Sequence, residues 1–140
     1  MEKDTDMLSS IVNKFLLSAD SGMMDDVIAI YDEDFKNIRV VDDGTLVNMD
    51  RQQMIHFWKV QTGKIASGTF GVKPLQIVTG NTTIHYIEIL GDTGYVILTR
   101  LKDLGSGSEK IFYNLVWKLK SEKWYLLREF VHQRNMPKLK

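Results

Sequence analysis

From Thr83 to Gln133 apolar and polar residues alternate in four long runs, Thr83–Leu90, Gly94–Lys102, Glu109–Lys120 and Trp124–Gln133. A period of two is the mark of β-strands with one buried face. The Gly91-Asp92-Thr93 and Ser121-Glu122 stretches turn one strand back on the next. This C-terminal sheet is the surface on which the rest of the chain should fold.

Upstream the period changes. Leu8, Ile11, Val12, Phe15 and Leu16 form one stripe of an amphipathic helix, with Asp4 or Thr5 expected to cap its start. Asp20-Ser21-Gly22 should end it. Ser21 is then the expected cap of a second helix with the stripe Met24, Val27, Ile28 and Tyr31, Asp25 and Asp26 favouring its dipole. Phe35 to Val41 alternates as a strand, in which Phe35, Asn37 and Arg39 oppose Ile38 and Val40. Asp42-Asp43-Gly44 predicts a hairpin returning through Thr45–Asn48. Asp50 and Gln53 have the spacing of a capping box for a third helix carrying Met54, Phe57, Trp58 and Gln61 on one side, stopped by Gly63. Residues 64–71 predict a loop, Lys73–Thr79 an edge strand and Gly80-Asn81 a turn.

Parity decides which side chains share a face of the sheet. One side of Glu109–Lys120 carries Ile111, Tyr113, Leu115, Trp117 and Leu119. A two-residue turn at Ser121-Glu122, or at Glu122-Lys123, places Trp124, Leu126, Arg128, Phe130 and His132 on that same side. A three-residue loop would exchange the two sets. Under the two-residue reading the Trp117 side is inner and receives the helices. The other side is half apolar, with Phe112, Val116, Leu127 and Val131 beside Asn114, Glu129 and Lys118. Such a face needs cover, and a homodimer through it is expected. Arg128 and His132 then sit among bulky rings, where an unpaired charge costs several kcal/mol. Arg128 therefore either meets a carboxylate or the rim, or holds an anion or carbonyl of a ligand.

Composition narrows the classes. The formal net charge is zero across 140 residues, so no general attraction to nucleic acid or anionic membrane is expected. No window is apolar enough for a membrane span, and Met1-Glu2-Lys3-Asp4 is no signal peptide. Cysteine is absent, which removes thiol chemistry and disulfides and fits a cytoplasmic location. His56, His85 and His132 lack metal-ligand spacing, so no metal site is expected. Gly105-Ser106-Gly107-Ser108 lacks the Gly-Lys-Ser/Thr of a phosphate loop. Tyr86, Trp117, Trp124 and Phe130 read as core rather than as an aromatic cage.

Several stretches resemble the nuclear transport factor 2-like superfamily: Ile30-Tyr31-Asp32-Glu33-Asp34-Phe35, Asp43-Gly44, Arg51 through Trp58, Gly91 through Val96, and Val116-Trp117-Lys118 followed by Lys123 through Leu127. The resemblance spans nearly the whole chain and is one of fold. It implies an α+β cone: a curved, mostly antiparallel sheet wrapped around three N-terminal helices, cystatin-like, with an internal pocket, in one domain over residues 1–140. It also implies frequent dimers. Ketosteroid isomerase, scytalone dehydratase, limonene epoxide hydrolase and polyketide cyclases are relatives, as are binding and assembly modules. The enzymes among them use acid–base chemistry without metal or organic cofactor.

On this reading the pocket is lined by Tyr31, Phe35, Phe57, Trp58, Tyr113, Trp117 and Arg128, and takes a small apolar or weakly anionic molecule. Binding without turnover is the first function expected. A cofactor-free isomerase, dehydratase or cyclase is the alternative, with His132 or Glu129 as base and Tyr113 as donor. Glu129 falls on the outer face in this register, and Glu88, on the same side as Tyr86, is a weaker carboxylate. A protein-interaction module using the outer sheet face is a third possibility.

Overall fold

The computed structural model describes residues 2–41, 43–61, 80–103 and 108–133. The expected loop at 64–71, the strand at 73–79, the Gly63 stop and the Gly105–Ser108 connection up to Gly107 lie outside them. In chain order come α1 (Glu2–Asp20), α2 (Met24–Ile30), β1 (Tyr31–Val41), β2 (Leu46–Asp50), α3 (Arg51–Gln61), β3 (Gly80–Leu90), β4 (Thr93–Asp103), β5 (Ser108–Lys120) and β6 (Lys123–Gln133). The strands form one curved, unclosed sheet in the order β2-β1-β6-β5-β4-β3. Among the described residues only β1 and β6 pair in parallel; the other neighbours are antiparallel. The fold is α+β, as expected.

The stripe of α1 is the core contact: Leu8, Val12, Phe15 and Leu16 are buried, while Met7 and Leu17 on the far side are exposed. Gly94 on β4 lets the helix approach, since a Cβ there would lie 2.5 Å from Leu8 Cδ2. α1 starts at Glu2, so Asp4 and Thr5 lie within the helix instead of capping it. Ser21 does not cap α2 either. Met23 N–H donates to Ser18 O at 2.9 Å and Gly22 N–H to Ala19 O at 3.2 Å. Gly22 takes φ +73, so this is a Schellman close of α1 with Ser21 as its last cap. Met23 holds the cap position of α2 without a side-chain hydrogen bond.

The capping box of α3 is present in both directions. Gln53 N–H donates to Asp50 Oδ1, and Asp50 N–H to Gln53 Oε1, each at 2.9 Å. Gly44, φ +86, turns β1 into β2. Gly80 and Asn81 belong to β3 and pair with Lys102 and Leu101, so the turn expected there is replaced by strand.

The β5–β6 hairpin closes through Ser121 (φ 48) and Glu122 (φ 66), a two-residue turn as predicted. Trp124 and Leu126 accordingly oppose Leu119 and Trp117. The register then shifts: Val116 opposes Arg128, so Leu127 is an extra residue. A β-bulge of one residue reverses every side chain beyond it. Glu129 and Val131 turn inward, opposite Leu115 and Tyr113, while Arg128, Phe130 and His132 turn outward. The inner placement expected of Arg128, Phe130 and His132, and the outer placement of Glu129 and Val131, are thereby corrected. Burial agrees: Val131 is 3% and Glu129 7% exposed, against 38% for Phe130.

A second bulge at His85 works the same way on β3. Ile84 opposes Leu98 and Tyr86 opposes Ile97. Ile87 and Ile89 pack against the core, and Tyr86, expected there, is exposed and hydrogen-bonded to the half-buried Glu88.

Candidate functional site

Inside the cone the bulge in β6 brings a carboxylate against β1. Asn37 and Glu129 are paired across the parallel β1–β6 ladder. Asn37 Nδ2 donates to Glu129 Oε1 at 2.6 Å, and Asn37 has no exposed surface. Tyr113 on β5 stands diagonal to Glu129, beside Val131. Tyr31, the first residue of β1, stacks on Phe35 with centroids 4.0 Å apart and accepts a hydrogen bond from Trp58 Nε1 at 2.8 Å. Because that contact uses the phenol oxygen as acceptor, the Tyr31 O–H remains a donor to another group.

Both phenols are kept neutral. Burial first, and the charge of Glu129 second, push the Tyr31 hydroxyl far above the ordinary tyrosine value. Tyr113 is raised for the same two reasons, in the same order. Arg39, inward on β1 opposite Val131, acts on both phenols in the opposite direction. Glu129, Arg39, Tyr31 and Tyr113 therefore share one electrostatic environment, lined by the stacked rings and by Trp117. A carboxylate, two neutral phenols and a guanidinium in one interior can remove a proton and stabilise the oxyanion that results.

Arg100 is also inward, but it is fully engaged. Its Nη1 donates to Asp20 Oδ1 and its Nε to Thr82 Oγ1, both at 2.9 Å, and Nη2 meets Asp20 Oδ2. Burial would lower its pKa, yet the hydrogen bonds and charge of Asp20 outweigh this and raise it. This pair ties the end of α1 to β4 and bounds the site behind Tyr113.

Of the residues predicted to line a pocket, Tyr31, Phe35, Tyr113 and Trp117 are buried together in the core. Trp58 joins them through Tyr31, while Phe57, edge-on to Trp58 at 5.3 Å, is 37% exposed at the margin. Arg128 does not join them. On the outer side its Nη1 donates to Asp34 O at 2.7 Å and Leu127 O at 2.9 Å, fastening the irregular start of β1 to the bulge. His132 is exposed on the outer face, stacked near Phe112 at 6.0 Å, away from Tyr113. Asn37 and Arg39 were missed as site residues. Their signal was parity with Phe35, two polar residues in step with a core aromatic.

A groove of about 520 Å³ opens between α1, α2 and the β5–β6 turn, but none of these site residues lines it. Among the described residues no group of three or more His, Asp or Glu is placed to hold a metal ion, and no helix is long and apolar enough to cross a membrane.

The fold that carries this site is the NTF2-like fold. An NTF2-like protein of unknown function from Shewanella baltica superposes with a TM-score of 0.69 at 12% identity, covering 96% of both chains. A ketosteroid isomerase-like protein from Erwinia carotovora gives 0.65 at 9% identity over 95% of this chain and 98% of its own. An NTF2-like protein with a cystatin-like fold from Novosphingobium aromaticivorans gives 0.66 at 15% identity over 94% and 82%. No protein-family model and no curated protein sequence matches the chain.

Proposed function

We propose that the chain takes a small, largely apolar molecule with a carbonyl or anionic oxygen into the cone and acts on it by acid–base chemistry. Glu129 removes a proton, and Tyr113 or Tyr31 donates to the oxygen that gains charge. Arg39, not Arg128, supplies the positive charge. The observation that supports this is the inward turn of Glu129 into a buried setting with two phenols held neutral. The likeness to a ketosteroid isomerase-like protein is in keeping with it. No organic cofactor is required for this chemistry.

The test is exchange of α-hydrogens of small cyclic ketones in D2O, followed by NMR. Glu129→Gln should slow exchange by roughly 10²–10⁴-fold while leaving ligand-induced shifts in place. Equal rates for wild type and Glu129→Gln would exclude Glu129 as base. Binding by the wild type without any exchange would favour a carrier over an enzyme.

The outer face supports a second proposal, a homodimer. Tyr95, Ile97, Leu101 and Phe130 are exposed there, on strands β4 and β6 that flank Phe112 and Val116 of β5. Contiguous apolar surface of this kind marks contact sites. Phe130 takes the place first given to Val131, and Leu127 lies at the bulge. A cytoplasmic location accords with the cysteine-free chain.

A further inference from the structure

We infer that the ligand of the interior site carries a hydrogen-bond donor, a hydroxyl or amine N–H, close to the carbon that Glu129 addresses, and that Asn37 Oδ1 receives it. The inference rests on the acid–base reading of Glu129. An ionised carboxylate only accepts, so the Asn37 amide must turn its NH2 toward Glu129. Its Oδ1 is thereby committed to facing another group. That oxygen is buried and has no hydrogen-bond partner among the described residues.

Across β2 the facing residue is Met49, a thioether; across β6 it is Glu129; two positions back along β1 it is Phe35, and two positions on it is Arg39, whose donors make no hydrogen bond to this oxygen. A buried amide oxygen left unpaired is costly, and a donor on the ligand relieves that cost. A ligand that seats against Glu129 without donating leaves Oδ1 bare. Such a ligand is rejected, because a site built around a polar contact discriminates strongly against the analogue lacking it. From hydrogen-bond lengths, the donor lies roughly 4–7 Å from the carboxylate. This suits a β-hydroxy or β-amino carbonyl compound, whose donor is borne by the carbon next to the one losing its proton.

Two probes separate the possibilities: 3-hydroxycyclohexanone, which can donate, and 3-methoxycyclohexanone, which can only accept. Binding of each is measured by amide chemical-shift titration of the full chain. The hydroxy compound should bind the wild type at least about tenfold more tightly, and Asn37→Leu should remove the preference. Equal binding of both to the wild type overturns the inference and leaves the acid–base reading intact. This comparison needs no variant to fold. A preference that survives in folded Asn37→Leu overturns the role of Asn37. If neither probe shifts the resonances of Tyr113 and Glu129 at millimolar concentration, the inference and the acid–base reading fall together.

Discussion

Replacing Asp20 by alanine should destabilise the protein by about 3–5 kcal/mol, the cost of breaking a buried ion pair from one side. The structure places the Arg100 side chain at 3% exposure and that of Asp20 at 10%. Without Asp20 the guanidinium keeps one described partner, Thr82 Oγ1 at 2.9 Å, and two nitrogens lose their acceptor far from bulk water. A small gain works against this loss. Asp20 is the last residue of α1, where a carboxylate opposes the helix dipole, so alanine returns up to about 1 kcal/mol. The net remains above about 2 kcal/mol, and with a urea slope of about 1–3 kcal/mol/M the midpoint should fall by about 0.7 M or more. Exchanging both partners, Asp20→Leu with Arg100→Met, should return stability to within about 1 kcal/mol of wild type, since both desolvation penalties vanish together. The reasoning is refuted if Asp20→Ala costs under about 1 kcal/mol, or if the double variant is as unstable as the single one.

Alkali should weaken the fold. The unfolded chain releases the Tyr31 and Tyr113 protons near pH 10, whereas the folded protein keeps them, so stability is whole below that pH and declines above it by about 1.4 kcal/mol per unit for each phenol. Urea melts between pH 9 and 11.5 check this, and Tyr113→Phe should roughly halve the slope. Deleting Leu127 removes the extra residue and leaves Arg128 opposite Val116 and Glu129 inward opposite Leu115; a cooperative melt within about 3 kcal/mol of wild type is expected, and loss of the folded state would show that the bulge is needed for more than register. Phe130→Asp should convert a dimer to a monomer in sedimentation velocity, with Ile97→Asp doing the same; an unchanged dimer places the contact elsewhere.

Local signals were readable wherever one residue type had one job. Asp50 and Gln53 specified the start of α3, and a turn at Ser121-Glu122 was one of the two-residue placements the sequence allowed and is the one found. The site was harder because it depends on a count. Leu126 and Leu127 are both apolar, so the strand satisfies its alternation in either register, and composition does not reveal which leucine is the extra one. The decision is made by β1, whose Asn37 and Arg39 need polar company inside, and by β5, whose Trp117 and Leu115 keep strict parity. Those are long-range contacts, invisible to a reading of β6 alone. His85 hid a second slip in the same way, which is why Tyr86 was assigned to the core.

The parallel pairing of β1 with β6 joins an early strand to a late one, with Tyr31 lying opposite Leu126. β2 can join β1 early, but all residues up to Lys123 must be made before β1 meets β6, and closing so long a loop slows the search. Until then the apolar side of β1 depends on chaperones or on transient collapse. A premature stop before Lys123 would therefore yield a species awaiting degradation, not a smaller working protein.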